Sequence, residues 1–282
     1  MHKTFDVSGP VELDIRLASG NIAIDPTLDG RVEVDLTAYD EDSQALLDDA
    51  RVELLERGGR PELIIDVPKR RGGGFSLGML FSRQGIACEI RCPAGSDVQV
   101  RSKSADLEAG GTIGNLAIST ASGDVDVDHV TGTATVKSAS SDFTAREIEG
   151  ATTIASASGD VSIDIAHAAV NINSASGDVT IREAYDNVTV QTVSGDQEHG
   201  AVMRGRVAAN SVSGDVTVAV RRGSRAYLDC STVSGDTTSD LELEADEPDG
   251  DGPLVDIRAK TVSGDIRITR APAPMDTQEV HA

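Results

Sequence analysis

The sequence contains no tryptophan and only three tyrosines and four phenylalanines in 282 residues. A core of this chain must therefore be filled by Val, Ile, Leu and Ala, which suits thin repeated layers better than one bulky interior. Cysteine is also scarce. Cys88, Cys92 and Cys230 do not make a disulfide framework. In "CEIRC", read as a strand, the four steps from Cys88 to Cys92 cover roughly 13 Å, too far for a direct bridge. The expected state of all three is an ordinary buried or free thiol. No run approaches 18 apolar residues, and "MHKTFDVSGPVELDIRLASG" has no signal-peptide core. A cytoplasmic protein is the expectation. Positive charge is in deficit as well, with 25 Lys and Arg against 47 Asp and Glu for a net −22. Such a field repels phosphate backbones and anionic membranes, so nucleic acid is not an expected partner.

What is present is a repeat. Aspartates fall at Asp124, Asp142, Asp160, Asp178 and Asp196, every 18 residues, and Asp106 in "SAD" keeps the interval. Asp215, Asp236 and Asp265 follow at steps of 19, 21 and 29, read as the same unit with larger loops. A period this short points to a β-solenoid rather than a helical array. Residues before each aspartate alternate: Ile118, Thr120, Ser122; Val136, Ser138, Ser140; Ile154, Ser156, Ser158; Ile172, Ser174, Ser176. After it come Val125 and Val127, Val161 and Ile163, Val179 and Ile181. Period two is strand geometry with one face inward. The row narrows toward the aspartate, and Ala121, Ala139, Ala157 and Ala175 read as small residues crowded at a pinched edge. A second turn is expected near Gly132 and Gly150. The fold class is all-β, an elongated β-solenoid of about 18-residue coils with repeated Ser-Gly-Asp turns.

Three parts follow. Residues 1–98 form an irregular N-terminal β region, with a short helix in "DEDSQALLDDA" and strands in "RVELL", "ELIIDV" and "IACEIRC". Residues 99–270 carry the repeats, and 271–282 a loose tail. Lys69–Gly85, "KRRGGGFSLGMLFSRQG", stands apart. It joins Lys69, Arg70, Arg71 and Arg83 to Phe75, Leu77, Met79, Leu80 and Phe81. It reads as a long loop covering an open sheet edge, or as a contact element for a partner protein or membrane surface. "EADEPDGDGP" reads as a solvated acidic loop.

"ASGDVDV", "SASGDVSI", "SASGDVTI" and "VSGDVTV" resemble the bacterial β-strand-repeat family of unknown function labelled "putative adhesin". "RVELLERGGRPELIID" resembles its N-terminal part, so the likeness spans residues 8–270. The resemblance implies the repeat fold and no catalytic residue. Members often accompany membrane segments or envelope-stress and signalling contexts; the sequence has no span of that kind, which weighs against an envelope role.

Chemically, Ser-Gly-Asp describes a turn: Gly bends, and Ser and Asp bond nearby backbone N–H groups. Stacked carboxylates near 5 Å repel by roughly 0.8 kcal/mol per neighbour in bulk water, so backbone donors or a row of cations must relieve them. The calcium-binding nonapeptide pattern is absent. His129 and His167 are 38 residues apart, not a whole number of periods, and His199 lies beside a turn. No catalytic, cofactor or metal residue is assigned, and no cofactor is expected. A structural or protein-interaction module, adhesin-like, is the leading expectation, with an unknown protein or a second copy as partner. A carbohydrate-active or calcium-binding solenoid is the alternative; only Phe143, Tyr185 and Tyr227 lie in the repeats as sugar platforms, and Phe143 takes the core position of Val125 and Val161.

Overall fold

The computed structural model describes residues 1–68, 85–241 and 252–272. The fold is all-β, largely parallel and solenoid-like, with one short helix among the described residues. The first part contains β1 (His2–Asp6), β2 (Glu12–Asp25), β3 (Arg31–Ala38), α1 (Glu41–Asp48), β4 (Arg51–Arg57), β5 (Arg60–Asp66), β6 (Ile86–Arg91) and β7 (Asp97–Ile113). Then come β8 (Leu116–Ser119), β9 (Val125–Val130), β10 (Ala134–Ser140), β11 (Phe143–Ile148), β12 (Thr152–Ser158), β13 (Val161–Ala166), β14 (Val170–Ser176) and β15 (Val179–Ala184). The chain continues through β16 (Val188–Ser194), β17 (Gln197–Val202), β18 (Gly205–Asn210), β19 (Val216–Val220), β20 (Arg225–Ser234), β21 (Thr237–Ser239), β22 (Leu254–Ser263) and β23 (Ile266–Arg270).

Alternate strands build two parallel ladders. β8, β10, β12, β14, β16 and β18 stack in one, with Val136 opposite Ile154, Ile172 and Val190 in turn. β9, β11, β13, β15, β17 and β19 stack in the other, with Ala145 opposite Ile163 and then Ile181. The β-branched rows are buried, each lying between its counterparts in the rungs above and below. Phe143 occupies the rung between Val125 and Val161 and is buried, as the alternation requires.

The stack begins at β2. One edge of β2 pairs with β7 from Glu12 opposite Asp97 to Ile24 opposite Ala109. Its other edge is shared by β5 and β6, both parallel to it. Beyond them the direction reverses: β4 is antiparallel to β5, β3 to β6, and β1 to β3. The parallel stack is thus closed at its start by antiparallel strands, which covers an otherwise open edge. β4 and β5 meet through the two-residue turn Gly58-Gly59, both at positive φ. The helix expected in "DEDSQALLDDA" is α1; the Asp40 carboxylate caps it by accepting the Ser43 N–H at 2.7 Å, and Leu47 is buried. Asp14, a buried carboxylate on β2, accepts from Arg16 at 2.6 Å and Arg101 at 3.0 Å, so its charge is compensated.

Three expectations are corrected. The irregular steps after Asp196 are more than enlarged loops, because the chain leaves sequence order. β18 and β19 pair with β22 and β23, and these pair in turn with β20 and β21. The segment 225–239 skips a place, and 254–270 fills the gap. Second, the small alanines are not crowded inside: Ala121, Ala139, Ala157 and Ala175 are exposed. Each lies between two residues of the inward row, so alternation itself aims it at solvent. Third, Ser140, Ser158 and Ser176 are exposed although alternation would turn them inward, because each is the last residue of its strand. The Lys69–Gly85 insertion apart from Gly85, most of "EADEPDGDGP", and the tail beyond Pro272 lie outside the described residues.

Candidate functional site

The repeated aspartates form a single line along the Ser-Gly-Asp edge. The Asp124 N–H donates to Asp106 Oδ1 at 3.0 Å, and the Asp142 N–H to Asp124 Oδ1 at 3.2 Å. Asp160 to Asp142, Asp178 to Asp160, Asp196 to Asp178 and Asp215 to Asp196 repeat the contact at 2.8 Å each. The line follows the stack, not the sequence: Asp265 donates to Asp215 at 2.7 Å, and Asp236 to Asp265 at 2.8 Å. Each inner carboxylate accepts the main-chain N–H of the aspartate in the next rung. A charged acceptor makes this a stronger bond than an amide pair, and it offsets the repulsion along the row. Asp160→Ala removes one rung's acceptor and is expected to cost about 1 kcal/mol in urea unfolding, whereas Asp160→Asn keeps a carbonyl acceptor and stays close to wild type.

The opposite edge carries a different set. His129 Nε2 lies 3.0 Å from Glu149 Oε1, and His167 Nε2 lies 2.8 Å from Glu147 Oε1. The hydrogen bond with His167 holds the Glu147 carboxyl below its usual range. Tyr185 stacks on His167 with centroids 5.1 Å apart, and its hydroxyl donates to Glu183 at 2.9 Å and accepts from Arg221 at 3.2 Å. As the spacing indicated, the two histidines occupy different places; each is taken up by its own glutamate. Among the described residues no group of three or more His, Cys, Asp or Glu is placed to hold a metal ion. Burial pushes the Cys88 thiol up to about 12 and the Cys92 thiol up to about 11, so neither is a thiolate nucleophile at neutral pH. Tyr227 is exposed on β20, whereas Phe143 is buried and Tyr185 half-buried, so the three aromatics form no sugar platform.

His199 is the residue sequence reasoning misplaced. It sits inside the stack, opposite Ile181 on one side and Val218 on the other, fully buried. Among the described residues neither ring nitrogen has a hydrogen-bond partner, and burial pushes its pKa down to about 4. Gln197, two residues earlier, replaces the valine of Val179 and Val216; its amide donates to Thr192 Oγ1 and the Asn210 carbonyl, both at 2.9 Å. The signal was in the repeat: "SGDQEH" aligned on "SGDVTI" puts Gln and His at core positions.

The family model Toastrack DUF4097 matches residues 12–269. The chain belongs to this family. The match takes in the first rung of the toastrack stack at β2 and nearly all of β23, the last strand along the chain. No curated protein matches the chain. Three solved structures align with this toastrack protein over nearly their whole length. A "putative adhesin" from Bacteroides fragilis is 16% identical, with 95% of this chain and 96% of that one covered and a TM-score of 0.45. One from Parabacteroides distasonis is 14% identical, with the same coverages and a TM-score of 0.40. A "putative cell adhesion protein" from Clostridium sporogenes is 11% identical, covering 96% and 99%, with a TM-score of 0.26.

Proposed function

We propose that this toastrack chain is a non-enzymatic structural or protein-interaction module. In this reading the unit is an 18-residue coil, and Ser-Gly-Asp is its self-satisfying corner. Residues 1–98 close the start of the stack, and 99–270 extend it. The observation that carries the reading is the aspartate line. The chemistry repeated most often in the chain is spent on the main chain of the neighbouring rung. A rigid stack of such coils supplies a long surface on which few groups are committed to a reaction.

A calcium melt tests the corner reading. The melting temperature is expected to be the same with calcium and with chelator; a rise with calcium means that the carboxylates bind cations. The interaction role is tested by pull-down from the native host with the intact chain as bait. A specific partner, or stable self-association, supports it; a chain that captures nothing and stays monomeric overturns it. The cytoplasmic location stands as a proposal, which fractionation of the native host tests.

A further inference from the structure

Beside the aspartate line runs an apolar ridge. Ser174, Thr192 and the serines that follow them pair rung to rung, and the residue between each pair points outward. Going along the stack, that residue is Ala121, Ala139, Ala157, Ala175, Val193, Val212, Val262 and Val233. The valines are 54%, 50%, 49% and 82% exposed, which puts four branched side chains in water on adjacent rungs. On strands of an acidic, highly polar surface this is a contiguous patch, not scattered exposure. The exposed carboxylates of Asp196, Asp215, Asp265 and Asp236 flank it.

We propose that this valine ridge docks a second copy of the chain through that copy's Lys69–Gly85 stretch. The proposal rests on the reading of the chain as an interaction module and names its partner. Charge complementarity carries it. In a chain of net charge −22, Lys69, Arg70, Arg71 and Arg83 gather in one stretch with Phe75, Leu77, Met79, Leu80 and Phe81. That stretch matches both the carboxylate line and the valines.

Reach selects the second copy over the same one. The described chain stops at Pro68, just after the Val67 N–H donates to the Arg16 carbonyl, and it resumes at Gly85, next to Ile86 opposite Gly20. Both ends are rooted on β5 and β6, one strand before β2. Val193 is seven strands further on, roughly 34 Å away at strand spacing. Sixteen residues, 69–84, bridging those two roots reach roughly 29 Å at most. They fall short of the valines of their own copy. A contact from the start of one stack to the far part of another is heterologous, so it builds a ring or an open filament rather than a two-fold dimer.

Light scattering on the full chain tests this over a concentration series. The mass is expected to grow with concentration at low salt and to fall back at high salt. Three variants are compared: Val193→Ser with Val212→Ser and Val262→Ser; Asp196→Asn with Asp215→Asn and Asp265→Asn; and deletion of Gly72–Arg83. The Asn set keeps the acceptor for the next rung's N–H, and Asn21 already fills that place opposite Asp106. Each variant is expected to raise the concentration for half-association tenfold or more, with wild-type circular dichroism. A synthetic Lys69–Gly85 peptide is expected to bind the deleted chain and not the serine variant. A wild-type chain that stays monomeric, a deletion that increases association, or peptide binding indifferent to the valines each overturns the proposal. If the chain is monomeric yet captures a host protein, this inference falls and the interaction reading stands.

Discussion

Gly177→Ala is expected to destabilise the protein by on the order of 4 kcal/mol, from a strained φ and a steric clash of roughly 1–3 kcal/mol each. Gly177 has φ +121°, a region closed to residues with a Cβ. A methyl group there would stand 2.2 Å from the Gly159 carbonyl oxygen and 2.7 Å from its carbon. Those atoms are backbone of the adjacent rung, so no side chain can swing aside. Relief requires the two rungs to part. That breaks the bonds between these two rungs, from the Asp178 N–H to Asp160 and from the Val161 N–H to the Asp178 carbonyl. Gly58→Ala is the control. Gly58 also has positive φ, at +63°, but nothing lies within 4 Å of the place its methyl group would take, so the expected cost is about 1 kcal/mol. Urea unfolding of both variants measures the contrast. Equal, small losses would mean that the corner is loose and the rungs are not in contact there.

The second large effect is on acid stability and belongs to His199. Its pKa is about 4 in the folded chain, against 6.5 for the ordinary group. Between those values the unfolded chain holds a proton that the folded chain does not. Stability is therefore full above pH 6.5, declines as pH falls, and is lower by about 3 kcal/mol at pH 4, at 1.36 kcal/mol per pH unit. The cause is geometric. Ile181 and Val218 flank the ring, and among the described residues neither nitrogen has a hydrogen-bond partner that would hold an imidazolium. His199→Leu is expected to remove this slope and to raise stability at neutral pH by about 1–2 kcal/mol, because two unpaired buried nitrogens disappear. Denaturant unfolding across pH 4–7 reads both effects. A wild-type profile that is flat over that range, or a slope unchanged in His199→Leu, would sink the assignment. The carboxyl groups held low, such as Glu147 through His167, also lose stability on acidification, but in a lower window.

Much of this was legible in the residues. Val136, Ile154 and Ile172 recur at a fixed interval within period-two stretches, and they do stack on one another. The reason is local: alternation sets which side of a strand is apolar, and parallel rungs bury like against like. The helix at Glu41–Asp48 was legible from the break in alternation, with Leu46 and Leu47 set between polar residues. His199 was legible in principle, since its position follows from the same alignment, but a polar residue at a core position reads as a loop until the register is known.

By itself, then, the sequence determined the strands and their inward rows, because these depend on neighbours two to four positions away. Only the tertiary structure decided the order of the rungs. Asp265 lies between Asp215 and Asp236 since β22 and β23 enter the stack ahead of β20 and β21, and either order satisfies the same local pattern. The structure also decided where the aspartate oxygens go and which side of each bend meets water. Both depend on the backbone of the next rung, which is near in space and at least 18 residues away along the chain.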